Sequence, residues 1–285
     1  MVAPAVPSWR ARRAYLQGLT LDLRPLSSPL PAPSPSDFVI CGLPRSGTTL
    51  LSAALHQPPL AVTLMEPWLG LVLPPAELFR EVRRRLGEEG TVGGRIDLDL
   101  LRAEGSTAWV EDRARTVKPR PDADSVLVGI KWPSYWQLLP LLPDTLFLVC
   151  VRHPHEVVSS MVRARGALRD GLDHEVPFNA EVNAELRRAT RWRAERRALL
   201  YERIVRGVLP HLDRPNVLLV RYEHWFEDSA GLLDEVGSFL GEDVSQPQVR
   251  IGAPPDRPRL SRHDRKALAA LCPSAREIGY AVGMS

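Results

Sequence analysis

The sequence is poor in cysteine and contains no long apolar run. The three cysteines, Cys41, Cys150 and Cys272, are odd in number and form no CxxC pair, which argues against a disulfide scaffold and against a zinc site. No run reaches the roughly 18 apolar residues that a membrane helix needs, so we expect no membrane association. The first 24 residues have no apolar stretch behind their arginines, so we expect no signal peptide. The scarcity of cysteine favours a reduced, cytoplasmic setting.

A large excess of charge is also lacking. The formal net charge is +3, which is too small to indicate a nucleic-acid partner. Lysine is scarce, since only three of the 37 Lys and Arg residues are lysines. Lys131, which directly follows an apolar stretch, is therefore a residue of interest.

The composition of the chain is that of a globular protein. The 285 residues are 44% hydrophobic and 25% charged, so the chain can bury a sizeable core. Residues 1–36 carry seven prolines, which neither continue a helix nor donate to a strand ladder. The sequence therefore predicts a proline-rich N-terminal extension or linker over 1–36 and a single domain over 37–285.

From Asp37 onwards, short apolar runs alternate with stretches of helical character. Buried strands are predicted over 38–42, 125–130, 145–151 and 216–220, and helices over 48–56, 154–165, 179–208 and 229–240. Asn179 is expected to cap the third helix and Gly241 to close the fourth. This alternation predicts an α/β fold of three layers, with a central parallel sheet flanked by helices. Such sheets bind ligands at the carboxyl ends of their strands.

The turn after the first predicted strand has the spacing of a phosphate-binding loop. Gly42-Leu-Pro-Arg-Ser-Gly-Thr-Thr49 matches the P-loop pattern G-x-x-x-x-G, in which backbone N–H groups and a helix N-terminus bind a phosphate-like anion. Thr48 stands where nucleoside-triphosphate P-loops have lysine, which argues against ATP or GTP hydrolysis. Arg45 supplies a cation inside the loop and can hold two oxygens at once. We therefore expect a P-loop-type fold.

A second candidate anion site follows the third predicted strand. Arg152-His-Pro154 ends that strand, and Ser160 lies eight residues after Arg152, about two helical turns away. An arginine at the strand end and a serine on the helix face could hold one phosphate between them. His153 and His155 would supply only two ligands, too few to predict a metal site.

The two motifs together resemble those of sulfotransferases that use 3′-phosphoadenosine 5′-phosphosulfate (PAPS). These enzymes carry G-x-P-[RK]-S-G-T-T after the first strand and R-x-P-x-x-x-x-x-S at the second site, and both patterns are present here. The stretches Val220-Arg-Tyr-Glu-His-Trp225 and Ile278-Gly-Tyr280 are similar to two further motifs of the family. The resemblance spans residues 38–280 and implies that PAPS is the sulfuryl donor and that no metal is required.

The resemblance also implies which residues bind each end of PAPS. The 5′-phosphosulfate would be bound by the loop residues Arg45, Ser46, Gly47, Thr48 and Thr49. Arg152 and Ser160 would bind the 3′-phosphate. Tyr222 and Trp132 are both candidates for stacking on adenine, and the sequence does not choose between them.

Departures from the cytosolic small-molecule branch favour the bacterial and Golgi-type branches, which include tyrosylprotein and carbohydrate sulfotransferases. The first branch has a histidine base in K-T-H-L-P, whereas Lys131-Trp-Pro133 has none, and its late R-K-G-x-x-G-D-W-K-N stretch is missing. The favoured branches use a glutamate some twenty residues past the loop. Glu66, 21 residues beyond Arg45, matches that spacing and would be desolvated by Met65 and Trp68. Glu156 is a rival candidate.

The chemistry that the resemblance implies needs fixed cations. Negative charge develops on the departing bridging oxygen, and Arg45 and Lys131 are the candidates to stabilise it, with Glu66 as general base. The acceptor would be a hydroxyl or amine of a small molecule or carbohydrate, and the product adenosine 3′,5′-bisphosphate (PAP). Residues 74–124 and 163–185 are expected to form the walls and lid of the acceptor cleft.

Two other functions stay open at this point. A P-loop kinase of small metabolites would need a lysine in place of Thr48 and an Asp for Mg²⁺, and a non-catalytic nucleotide-binding protein would leave Glu66 and Lys131 unexplained. Two arginine clusters could attract an acidic acceptor or cover the 3′-phosphate, although solvated surfaces explain them more simply. These clusters are Arg80, Arg83, Arg84 and Arg85, and Arg257, Arg259 and Arg262.

Overall fold

The computed structural model describes residues 37–57, 60–67, 70, 73–88, 108–110, 126–174, 176–247, 249–252 and 260–282. The strands are β1 (Asp37–Gly42), β2 (Ala61–Met65), β3 (Ala108–Val110), β4 (Leu127–Lys131), β5 (Leu146–Val151), β6 (Val217–Arg221) and β7 (Val249–Ile251). The α-helices are α1 (Thr48–Ala54), α2 (Pro75–Glu88), α3 (Pro154–Arg163), α4 (Ala180–Ala189), α5 (Arg193–Val208), α6 (His224–Glu227), α7 (Ser229–Leu240) and α8 (Arg262–Leu271). A 3₁₀ turn, Pro133–Leu138, follows β4.

Five strands form one parallel sheet in the order β2-β4-β1-β5-β6. The two short strands β3 and β7 pair antiparallel in a sheet of their own. All six residues of β1 are buried, as expected for a central strand that helices cover on both faces. The predicted α/β fold with a central parallel sheet flanked by helices is therefore confirmed.

Side chains on the two faces of the sheet pack into two separate hydrophobic cores. Val39 and Cys41 of β1 pack into the core that α2, α3, α5 and α8 cover. Phe38 and Ile40 pack into the other core, which α1 and α7 cover. Since successive side chains of a strand point to opposite faces, these cores are the two interfaces of a three-layer fold.

The helix predicted over 179–208 is in fact two helices, α4 and α5. Thr190, just after α4, is extended, with φ −160° and ψ 149°. Its hydroxyl donates to Glu195 Oε2 at 2.5 Å and accepts from the Trp192 N–H at 3.1 Å. The prediction of one continuous helix was wrong because this hydroxyl offers the backbone local hydrogen bonds in place of helical ones.

Asn179 does not cap α4, contrary to the prediction. Its side chain makes no capping hydrogen bond and is fully buried. Its Nδ2 donates instead to Ser134 Oγ at 2.8 Å and to the His174 carbonyl oxygen at 2.9 Å. These contacts, one of them with a residue 45 positions away, thus take the side chain away from the helix end. The predicted glycine stop of α7 is confirmed, since Gly241 adopts φ 74°.

The arginines of α2 do not share one solvated face. Arg80 and Arg84 are exposed, but Arg83 is buried. Arg83 donates to Asp37 Oδ1 at 2.6 Å and to the Val126 carbonyl oxygen at 2.9 Å. A solvated role is therefore wrong for Arg83, which fastens α2 to the beginning of the sheet.

Several predictions concern residues outside the described ranges. They are the 1–36 extension, Trp68, most of the segment 89–124, and Arg257 and Arg259. Arg262 lies in the first turn of α8 rather than in a loop. Across the described part of the chain, no helix combines the length and the apolar character needed to cross a membrane.

Candidate active site

The predicted motifs lie along one edge of the sheet, where the parallel strands end. Met65 at the end of β2 is in register with Lys131 at the end of β4, and Val151 of β5 is in register with Arg221 of β6. The segments that leave this edge contain Glu66, the loop 42–47, Arg152 and Tyr222. Strand order therefore gathers the candidate residues at the edge where parallel sheets bind ligands.

The backbone of the loop 42–47 has the left-handed conformations of an anion-binding turn. Arg45 and Gly47 have φ of 70° and 89°. Gly42 has φ 119°, and a Cβ at this position would lie 2.3 Å from the carbonyl oxygen of Cys150. Because α1 begins at Thr48, directly after the loop, the N–H groups of its first turn adjoin the candidate site.

The side chains of the loop divide into buried and exposed ones. The Ser46 hydroxyl lies 2.5 Å from the Leu43 carbonyl oxygen and 2.9 Å from that of Cys150, to which it can donate. Ser46 and Thr48 are buried, whereas Arg45 is exposed and Thr49 half-buried. The Ser46 side chain therefore shapes the loop, and the Arg45 side chain extends out of it.

The loop and the second predicted anion site are in direct contact. Arg45 Nε donates to Ser160 Oγ at 2.9 Å, and Arg152 Nη1 donates to the Arg45 carbonyl oxygen at 3.4 Å. We call Arg45, Arg152 and Ser160 the arginine cradle. Two guanidinium groups and a hydroxyl form a donor set suited to phosphate oxygens.

The ring of Tyr222 packs against the guanidinium group of Arg152. The Arg152 guanidinium carbon lies 3.6 Å from the centroid of the Tyr222 ring, a cation–π contact. A Cβ added to Gly47 would lie 2.5 Å from Tyr222 Cδ2, so the loop packs against the same ring. Arg152 also pairs with Glu156, the rival base, at 3.2 Å. One face of Tyr222 thus holds the arginine and is not open for adenine.

Trp132, the other candidate for adenine stacking, is a core residue. It is only 4% exposed, stacks on Tyr135 with ring centroids 5.5 Å apart, and meets Phe178 edge-on. Sequence could not separate a stacking ring from a core ring, because both occur next to strand ends. Neither aromatic residue is therefore placed to offer an exposed face.

Glu66 and Lys131 form an ion pair with Nζ and Oε1 2.6 Å apart. The Glu66 N–H donates to the Lys131 carbonyl oxygen at 2.8 Å, which holds the backbone of Glu66 at φ 48°. The Lys131 side chain is 6% exposed and that of Glu66 is 39% exposed. The expected desolvation of Glu66 is therefore not found: the ammonium is shielded, and the carboxylate is accessible.

A buried polar network beside this pair was not predicted. Asp173 is 1% exposed and accepts from Ser134 Oγ at 3.0 Å and from the His174 N–H at 2.7 Å. Burial raises the pKa of Asp173, and the negative charge of Glu66 adds to that rise. Because Ser134 lies three residues after Lys131, the network fastens the segment at Asp173 to the end of β4. Ser134 and Asp173 are 39 residues apart in sequence, so no local pattern could have revealed their contact.

The histidines after Arg152 contact protein groups. His153 Nδ1 accepts from the His155 N–H at 3.3 Å and caps α3. The other ring nitrogen of His153 lies 3.2 Å from the Ala281 carbonyl oxygen. Within the described ranges, no group of three or more His, Cys, Asp or Glu side chains could hold a metal ion.

The parallel sheet, with the loop 42–47 between its first strand and α1, defines a P-loop-type fold. Residues 36–246 match the model of the sulfotransferase family. The chain therefore belongs to the sulfotransferase family, as the resemblance of its motifs predicted.

The individual proteins that resemble this chain share less than a third of their residues with it. Nodulation protein NoeE of Sinorhizobium fredii (strain NBRC 101917 / NGR234) is 29% identical over 229 residues, which are 74% of this chain and 51% of NoeE. The chain thus spans about half the length of this curated relative. The sulfotransferase from Alicyclobacillus acidocaldarius is 17% identical, with a TM-score of 0.47 over 87% of this chain and 95% of that one. The sulfotransferase domain from the curacin biosynthetic pathway is 16% identical, with a TM-score of 0.47 over 90% of this chain and 100% of that one.

Proposed function

We propose that this protein transfers a sulfuryl group from PAPS to a hydroxyl or amine of a small-molecule or carbohydrate acceptor and releases PAP. The observation that carries the proposal is the direct contact of Arg45 with Ser160 and Arg152. This contact joins the two predicted anion sites into one cradle. The Glu66–Lys131 pair lies at the same edge of the sheet.

The residues of the site fit the two charged ends of PAPS. The loop backbone and the first turn of α1, with Thr48 and Thr49, would bind the 5′-phosphosulfate. Arg152 and Ser160 would bind the 3′-phosphate, with Arg45 between the two ends. When bound, PAPS supplies the activated sulfuryl group, and the protein supplies orientation and charge.

Glu66 is the general base of the proposed reaction. Its accessible carboxylate accepts the proton of the acceptor oxygen or nitrogen as that atom forms its bond to sulfur. Lys131 and Arg45 provide positive charge at the bridging phosphate oxygen, whose bond to sulfur breaks. The pairing of Lys131 with Glu66 holds the two side chains in place before the acceptor arrives.

Calorimetric titration with PAP and with ATP, both in EDTA, tests the donor site. A charge-assisted 3′-phosphate contact contributes about 1.5–3 kcal/mol, so PAP should bind roughly 10- to 150-fold more tightly than a nucleotide without that phosphate. Sulfuryl transfer from labelled PAPS to a panel of phenols, amines and sugars should then proceed with EDTA present.

Two results would contradict the proposal. Tighter binding of ATP than of PAP, together with phosphoryl transfer that needs Mg²⁺, would identify a small-metabolite kinase. Binding of PAP without transfer to any member of the acceptor panel would instead favour a non-catalytic nucleotide-binding protein.

A further inference from the structure

Residues 278–282, which we call the tail segment, lie against the turn that carries Arg152. The Tyr280 hydroxyl donates to Glu223 Oε2 at 2.7 Å. The rings of His153 and Tyr280 meet edge to face with centroids 5.6 Å apart, and His153 also contacts Ala281 through its ring nitrogen. Tyr280 is buried in this contact. A segment more than a hundred residues away thus packs on the residue that follows Arg152.

Glu223 connects the tail segment to the backbone of this turn. Its Oε1 accepts from the His153 N–H at 2.9 Å, while Oε2 accepts from Tyr280. On the other side, the Tyr201 hydroxyl donates to the Arg152 carbonyl oxygen at 3.1 Å. Both polar atoms of the peptide bond between Arg152 and His153 are therefore held by side chains.

This arrangement fixes the Arg152 side chain at both ends. Its backbone is held by Glu223 and Tyr201, and its guanidinium lies on the Tyr222 ring. An arginine that is already ordered loses less conformational freedom when it binds an anion, so the affinity is higher. Burial raises the pKa of Tyr280, and its hydrogen bond to Glu223 raises it further, so the phenol remains a donor at neutral pH.

We propose that Tyr280 and Glu223 are positioning residues for the 3′-phosphate site, and that the tail segment is part of the donor-binding apparatus. Neither residue would touch the reacting atoms, since both act through the Arg152 turn. The inference rests on the proposed function, in which Arg152 binds the 3′-phosphate.

The test compares PAP with adenosine 5′-monophosphate (AMP), which lacks the 3′-phosphate. For Tyr280→Phe we expect the Kd of PAP to rise about 3- to 10-fold and that of AMP to change less than about 2-fold. The KM for PAPS should rise in parallel with the Kd of PAP, while kcat at saturating PAPS stays unchanged. AMP binding also reports whether the variant is folded.

Tyr135→Phe is the matched control. It also removes one buried tyrosine hydroxyl, which donates to the Gly70 carbonyl oxygen at 3.0 Å, but it does not touch the Arg152 turn in the described contacts. Its ratio of PAP to AMP affinity should match that of the wild type. Glu223→Gln should lower this ratio as Tyr280→Phe does, and the double variant should lose less than the sum of the two single effects.

The outcomes separate the inference from the function on which it rests. If Tyr280→Phe and Glu223→Gln weaken PAP and AMP equally, or weaken neither, the two residues are structural only and the inference is wrong. If the wild type itself binds PAP no more tightly than AMP, the proposed function fails instead. If Tyr280→Phe does not fold, Glu223→Gln alone decides between these outcomes.

Discussion

Replacing Glu66 with glutamine removes the proposed general base and preserves almost everything else. The amide oxygen of glutamine can still accept from Lys131 Nζ, which lies 2.6 Å from Glu66 Oε1. The backbone strain of φ 48° is the same for both residues. The structural difference is therefore confined to the loss of one negative charge and of the ability to take a proton.

Glu66→Gln should lower both the rate of transfer and the stability of the fold. Loss of a positioned general base lowers the rate about 10²- to 10⁴-fold. Breaking a fully buried ion pair costs about 3–5 kcal/mol, but the Glu66 side chain is 39% exposed, so we expect about 1–2 kcal/mol of stability loss here. That loss corresponds to a decrease of roughly 2–8 °C in Tm for a domain of this size.

Three measurements check this reasoning. Single-turnover transfer from labelled PAPS should slow by the stated factor, calorimetry should give a Kd for PAP within about threefold of the wild type, and a thermal scan should show the modest decrease. Glu156→Gln is the matched control, because Glu156 is the rival carboxylate at the site and is 42% exposed. A Glu66→Gln variant with the wild-type rate, or a Glu156→Gln variant without activity, would refute the assignment of the base.

Two further predictions concern the arginine cradle and its support. Arg152→Ala should raise the Kd of PAP about 10- to 150-fold in calorimetry, the scale of a charge-assisted contact, and an unaltered Kd would remove Arg152 from the site. Gly47→Ala should destabilise the protein by about 2–5 kcal/mol, because φ is 89° and the new Cβ would lie 2.5 Å from Tyr222 Cδ2. Gly166→Ala has a similar φ of 66° but no atom within 4 Å, so it should cost only about 1–2 kcal/mol. Equal Tm decreases for the two glycine variants would show that the contact with Tyr222 adds nothing to the loss of stability.

The strands and the loop were predictable because their signals are local. The apolar run 38–42 and the glycines around Arg45 act over a few residues, and the structure has both a buried strand and a left-handed turn there. The strand β2 was not predicted, although Pro58 and Pro59 precede its five apolar or β-branched residues and Pro67 follows them. The break at Thr190 was also missed, because side chains decide it: the Thr190 hydroxyl makes local hydrogen bonds, and Arg196 Nη1 donates to the Thr190 and Arg191 carbonyl oxygens.

The roles of individual polar and aromatic residues were harder to predict, because they depend on distant partners. Tyr222 is an aromatic residue of the kind that stacks on bases, but its ring packs against the Arg152 guanidinium. Asparagine is a common residue at helix N-termini, but the side-chain amide of Asn179 donates to Ser134 Oγ instead. Asp173 showed no signal at all, since burial and the nearness of Glu66 exist only in the folded chain.

By itself, the amino-acid sequence determined the class of the protein: the alternation of strands and helices, the loop 42–49, and the eight-residue spacing of Arg152 and Ser160. These features follow from backbone preferences and helical geometry, which act over one or two turns of chain. Only the tertiary structure decided which groups meet. Arg45 reaches Ser160 across 115 residues, and Lys131 reaches Glu66 across 65, because the strand order places their strand ends side by side.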